Sequence, residues 1–172
     1  MTDGLAGISR DGVTPPRLDT IRLLQAYLVT DHARAAEVIK SLDQPASDQV
    51  CADLVGIYVP MARRAEQDGR GWSTEEIHET FPRVVARMSG DRFTLTPEQV
   101  YEVCAAWFAG RHEQVVEMTR GEPTRELWLH AAASFTMTVG AKAFGPRAFA
   151  GYLTLLRKLR AADSAADHAG PR

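Results

Sequence analysis

The sequence has few of the features that mark secreted, membrane-spanning or nucleic-acid-binding proteins. Its only two cysteines, Cys51 and Cys104, lie in apolar helical patterns, without CxxC or Cys/His ligand spacing. This favours buried, reduced thiols over a disulfide or a zinc site, and it predicts a cytoplasmic protein. The net charge is −2, from 20 basic and 22 acidic residues, so no excess of positive charge points to nucleic acid.

Long apolar runs are also missing. No stretch approaches the roughly 20 apolar residues that a membrane-spanning helix needs. The first residues contain no cationic segment followed by an apolar run, so we expect neither a secretory leader nor a membrane span. Alternation of apolar and polar residues, the strand signature, is confined to a short candidate at residues 92–95. The fold class predicted by elimination is all-α.

Helical patterns fill the middle of the chain and predict one domain of about six to eight helices over residues 18–160. A chain of 172 residues is long enough to bury one full hydrophobic core. Residues 1–17 are rich in glycine and proline, and residues 161–172 are rich in alanine, aspartate and glycine. Both segments have little apolar surface to offset the entropy of ordering, so we expect a flexible leader and a flexible tail.

Capping patterns and prolines predict where individual helices start or bend. Residues 96–99 (TPEQ) combine a capping hydroxyl, a proline at the first helical position and a glutamine that completes a capping box. Residues 73–76 (STEE) have the same form. Ser47 is placed to cap the third helix. Pro60 and Pro82 fall inside apolar helical patterns, where a proline predicts a kink or a restart.

Two windows of the sequence resemble each other at a fixed offset. Residues 26–32 read AYLVTDH and residues 106–112 read AWFAGRH, and each is followed by an amphipathic segment. An aromatic helix end, a tight polar turn and a second helix therefore occur twice. We predict a duplicated αα-hairpin in which Tyr27 and Trp107 occupy equivalent buried positions.

The second window resembles the tetratricopeptide repeat at its inter-helix turn. Gly110, His112 and Val115 stand where that family has a glycine, an aromatic and a small residue. His112 and Val115 depart from the family's residue types, and the helix links are shorter than its period of about 34 residues allows. A generic stack of αα-hairpins is the alternative. The resemblance implies a helical stack that binds a peptide or a partner helix in a groove. Further matching positions are Asp31, His32, Ala35, Trp128, Ala131, Ala132 and Phe135.

The predicted function is therefore a protein- or peptide-binding adaptor or regulatory module without catalysis, cofactor or metal. Self-association would use apolar residues of the last helix, for which the candidates are Tyr152, Leu155 and Leu159. The candidates for partner binding on exposed helix faces are Arg22, Gln25, Arg111 and Glu113.

Two alternatives remain open at the level of sequence. Glu75 and His78 form a Glu-x-x-His pattern that resembles half of a di-iron carboxylate site, and Glu126 with His130 is the nearest second pair, so a small helical enzyme or metal-binding bundle is one alternative. The other is a nucleic-acid-binding regulator that uses basic residues near the C-terminal helix. These basic residues are Lys142, Arg147, Arg157, Lys158 and Arg160.

Overall fold

A computed structural model describes residues 16–69, 73–89 and 95–168. The described segments contain eight α-helices and no strand, which confirms the all-α prediction. The candidate strand positions 92–94 and residues 1–15 of the predicted leader lie outside the described residues. The helices are α1 (Leu18–Leu28), α2 (His32–Lys40), α3 (Gln44–Gln67), α4 (Thr74–Ser89), α5 (Pro97–Phe108), α6 (His112–Met118), α7 (Thr124–Phe144) and α8 (Pro146–His168).

The two predicted capping boxes are confirmed. Before α5, the Thr96 hydroxyl accepts the Gln99 amide at 3.3 Å, and the Gln99 side chain accepts the Thr96 amide at 2.9 Å. Before α4, Ser73 and Glu76 exchange the same pair of bonds at 3.2 and 2.8 Å. Each box satisfies two amides that the first turn of a helix leaves without a partner.

Other predicted boundaries were wrong. Ser47 does not cap α3, because Asp43 accepts the Ala46 amide at 2.9 Å and the helix starts at Gln44. Helices α3 and α4 do not restart at their prolines, Pro60 and Pro82. Packing of each long helix against the core outweighs the backbone donor that a proline removes. Helix α8 extends to His168, past the predicted domain end at residue 160, and alanines favour helix in this last stretch.

The helix bounds repeat at the offset that the sequence predicts. Helices α1 and α5 end at Leu28 and Phe108, and helices α2 and α6 start at His32 and His112. The starts of the long helices α3 and α7 are separated by the same offset. The correspondence therefore includes the connection beyond each hairpin, which the sequence comparison did not detect.

The two hairpin turns share their hydrogen bonds. In the first turn the Asp31 amide donates to the Ala26 carbonyl at 2.8 Å, and in the second the Arg111 amide donates to the Ala106 carbonyl at 2.9 Å. The residue before each of these amides has a left-handed backbone, as in helix C-terminal caps. The same local geometry thus closes both hairpins, although their turn sequences differ.

The hairpins pack on opposite halves of the molecule. We call α1–α4 the first half and α5–α8 the second half. Helices α1 and α2 pack against α7, and α1 also packs against α8. Helices α5 and α6 pack against α3, and α5 also packs against α4. Because α3 and α7 pack against each other at the centre, each hairpin covers the long helices of the opposite half.

The core follows most of the sequence prediction. Tyr27 and Trp107 are both buried, as predicted for their equivalent positions. Leu127 is only half-buried because α7 turns the next two residues, Trp128 and Leu129, toward the interior. The other predicted core residues that are fully buried are Leu24, Leu54, Ile57, Val85, Val103, Phe135 and Leu153. Those that are partly buried against the core are Leu28, Val38 and Leu156.

Candidate functional site

A cleft lies where equivalent loops of the two halves meet. Residues 41–43 lead into α3 and residues 119–123 lead into α7, and the first turns of both long helices border the opening. The cleft has a volume of about 310 Å³, within the lower range of ligand pockets. Its lining residues are Ile39, Lys40, Leu42, Asp43, Gln44, Ser47, Gly121, Glu122, Arg125, Glu126 and Leu129.

Arg125 fixes the base of this cleft. Its side chain is 5% exposed, and its guanidinium contacts Asp48 at 2.5 Å. The Nε atom donates to the Thr119 hydroxyl at 3.1 Å, and Nη2 donates to the Val116 carbonyl. Arg125 therefore joins α3, the end of α6 and the start of α7. Since Asp48 balances its charge and its donors are engaged, Arg125 has a structural role.

The walls of the cleft combine apolar side chains with free charges. Lys40 stands on the α2 side, and Glu122 and Glu126 stand on the α7 side. None of the three has an ion pair among the described residues. The apolar part of the lining is Ile39, Leu42 and Leu129. This arrangement can hold an apolar group and bind a charged one beside it.

A polar pair of the buried Tyr27 and the half-buried His130 lies near the same residues. The Tyr27 hydroxyl and His130 Nδ1 are 2.5 Å apart, which joins α1 to α7. Burial raises the pKa of Tyr27 to about 12. Burial also lowers the pKa of His130, a shift that Glu126 opposes and that His32 and Lys40 reinforce. At neutral pH the Tyr27 hydroxyl therefore shares a hydrogen bond with a neutral imidazole, whose tautomer sets the direction of the bond.

The Glu-x-x-His pattern considered for metal binding does not form a metal site in the described part of the chain. His78 is exposed and stacks on Phe108 with ring centroids 4.1 Å apart, whereas His130 bonds to Tyr27. No group of three His, Cys, Asp or Glu side chains among the described residues is placed to hold a metal ion. Glu75 and Glu126 therefore do not converge with these imidazoles on a common point.

The four residues predicted for partner binding lie elsewhere. Arg22 is exposed and pairs with Asp19 at 3.5 Å, and Gln25 is half-buried on the same helix. Arg111 and Glu113 are exposed at the start of α6. Helices α1 and α6 have no extensive mutual contact, and none of the four residues lines the cleft. Their role in binding stays a prediction.

Sequence reasoning missed the cleft because its lining comes from two segments that are far apart in the chain, residues 39–47 and residues 121–129. Neither segment carries a recognisable motif, and the packing of α2 and α3 against α7 brings them together. The offset between the two matching windows was the available signal, since it places residues 41–43 opposite residues 121–123 when the two halves are aligned.

The last helix presents an apolar row. Leu155 is 46% exposed and Leu159 is 38% exposed, one helical turn apart, while Tyr152 is half-buried on the same helix. Two of the basic residues considered for nucleic acid, Arg157 and Lys158, are exposed beside this row. The surface of α8 is thus mixed, with apolar and basic residues interleaved.

The thiols are remote from any reactive arrangement. Cys51 and Cys104 are free and buried, as predicted. Burial raises the pKa of Cys51 to about 11 and that of Cys104 to about 12, so neither is a thiolate at neutral pH.

Every helix in the described segments is too short or too polar to cross a membrane. Comparison with protein-family models, with curated proteins and with solved structures finds no match.

Proposed function

We propose that this protein is a helical adaptor or regulatory module that binds a peptide segment of a protein partner in the cleft between α2 and α7. The observation that carries the proposal is the cleft itself, in which apolar side chains lie beside charges that have no ion-pair partner among the described residues. We also propose a cytoplasmic location, since both cysteines are free, buried thiols.

The size of the cleft suits a short segment. A volume of about 310 Å³ accommodates two or three side chains, which is less than a whole helix needs. Arg125, on α7, holds the floor in place through bonds to α3 and the end of α6, so the cleft is formed before a ligand arrives. A formed cleft limits the ordering cost of binding to the peptide.

Binding is favoured over catalysis by the state of the polar groups. Tyr27 and His130 bond to each other, and both cysteines are buried and are not among the lining residues of the cleft. Catalysis of acyl or phosphoryl transfer needs a nucleophile or a phosphate-binding loop. The described lining offers neither, and its carboxylates lack an acid–base partner at hydrogen-bonding distance.

Selection from a random decapeptide display library tests the proposal. We expect enriched peptides whose affinity, measured by calorimetry, falls at least about tenfold when Leu42→Arg blocks the cleft. Val29→Arg is the matched control, because Val29 is an exposed apolar residue outside the lining. Circular dichroism checks that both variants fold. Failure to enrich peptides, or peptides that bind the Leu42→Arg variant unchanged, would contradict the proposal.

The apolar row on α8 supports a second proposal, that the module forms a homodimer. Leu155 and Leu159 are among the most exposed large apolar residues of the described chain. Sedimentation equilibrium should give a dimer that Leu155→Glu with Leu159→Glu converts to a monomer. Tyr101→Glu, which changes a comparably exposed apolar residue on α5, should leave the dimer intact. A wild-type monomer at about 100 μM rules out this proposal.

A further inference from the structure

The charges around the cleft are unequally satisfied. The Arg125 guanidinium is balanced by Asp48, and the Asp43 carboxylate accepts the Ala46 amide at the start of α3. Glu122 and Glu126 have no such partner among the described residues, although both line the cleft. The opening therefore carries two free carboxylates at the start of α7.

Lys40 does not neutralise them. It lines the opposite wall, on α2, and forms no ion pair within the described segments. With Arg125 and Asp48 cancelling, one free lysine faces Asp43, Glu122 and Glu126. The net field in the opening is negative, which favours a cationic group on the ligand.

The first turns of α3 and α7 are an argument for an anion, since helix N-termini favour negative charge. The contacts of these turns oppose it. Asp43 already occupies the start of α3, and the Arg125 amide donates to the Gly121 carbonyl at 2.9 Å. An anion at α7 would also lie near Glu122 and Glu126. Repulsion from these carboxylates outweighs the partial charge of the helix ends.

The apolar part of the lining narrows the class of cation. Leu42 is half-buried and can contact hydrocarbon, whereas Ile39 and Leu129 are buried in the core; Glu122 is exposed and Glu126 is half-buried. Lysine and arginine side chains combine an aliphatic stem with a charged head, so the stem can pack while the head meets the carboxylates. A small inorganic cation would leave this apolar surface unused.

Resting on the proposed function, we propose that the cleft recognises a lysine or arginine side chain of the partner segment. The aliphatic stem packs against Leu42, and the charged head lies between Glu122 and Glu126.

The same library selection tests the inference through the composition of the peptides. Peptides that depend on an open cleft should be enriched in lysine or arginine. Replacing that residue by norleucine, which keeps the stem and removes the charge, should weaken binding about tenfold. The Glu122→Gln, Glu126→Gln double variant should weaken the basic peptide about threefold to tenfold, as two partly exposed ion pairs do.

Glu102→Gln is the matched control, since Glu102 is an exposed carboxylate outside the lining. Cleft-dependent peptides without a basic residue would overturn the inference and leave the proposed function standing. Acidic cleft-dependent peptides would overturn it too and would identify the helix ends as the attracting groups. If no peptide depends on the cleft, the proposed function itself is wrong.

Discussion

The two αα-hairpins close with the same turn hydrogen bonds and bury different residue types against the long helices. Where the first hairpin meets α7, Tyr27 bonds to His130 close to the cleft. Where the second hairpin lies against α3, the matched residues are Trp107 and Val50, and both are fully buried. The same turn geometry therefore accompanies a polar pair where the first hairpin packs and an apolar core where the second hairpin packs.

The difference follows from the cost of burying polar atoms. A buried hydroxyl or imidazole needs a hydrogen-bond partner, and Tyr27 and His130 supply each other with one. Beneath the second hairpin, Trp107 packs with Tyr58, Phe81 and Trp128, with ring centroids 5.4 to 6.0 Å apart. The first hairpin thus lies beside the cleft, and the second hairpin stabilises the fold through its aromatic contacts.

The largest expected effect concerns the Trp107 anchor. Trp107→Ala should lower the free energy of unfolding by about 3 to 5 kcal/mol, because it empties a fully buried site. Urea unfolding measures this loss. Tyr101→Ala on the same helix is the control, since Tyr101 is 57% exposed and its truncation should cost little. A loss below about 1 kcal/mol for Trp107→Ala would contradict the interpretation that the second hairpin stabilises the fold.

Sequence patterns predicted the all-α fold and the burial of Trp107 because helical periodicity and capping boxes are local signals. The same patterns failed at Ser47, because Asp43 is the cap of α3, and they allowed a restart at two internal prolines through which α3 and α4 continue. The cleft could not be predicted because it depends on how α3 meets α7. The Tyr27–His130 bond spans 103 positions, and no local pattern encodes it.

The turns provide a second comparison. Thr30 has φ 56° and its counterpart Gly110 has φ 73°. Gly110→Ala should cost about 1 to 2 kcal/mol, since a side chain disfavours this backbone. Crowding adds little, because the new Cβ would lie 3.7 Å from Val59. The reverse change, Thr30→Gly, should stabilise the protein by about 0.5 kcal/mol, the strain relieved less the entropy of glycine. Thermal unfolding measures the stability of both variants. The same change in stability for both would contradict the equivalence of Thr30 and Gly110 in the two turns.

The polar pair offers a third comparison. Tyr27→Phe keeps the ring and removes the hydroxyl that bonds to His130. It should lower the free energy of unfolding by about 0.5 to 1 kcal/mol at neutral pH. The second change, His130→Val, introduces at position 130 the residue type of the matched position, Val50. The double variant should cost less than the two single changes added together, since no polar atom of the pair is then left without a partner. Additive costs in urea unfolding would show that the bond contributes nothing.

The smallest expected effect is a change in how stability depends on pH. Because burial lowers the pKa of His130 in the folded protein, the unfolded chain takes up its proton first as the pH falls. The contribution of His130 to stability is therefore complete above the ordinary histidine value of about 6.5 and is lost as the pH falls below it. Tyr27→Phe and the double variant differ only at His130, so comparing them from pH 7.5 to 5 cancels the other groups. The single variant should lose more stability on acidification. Equal losses of stability would show that His130 is not desolvated. The surroundings of the first hairpin would then differ from those of the second in hydrogen bonding alone.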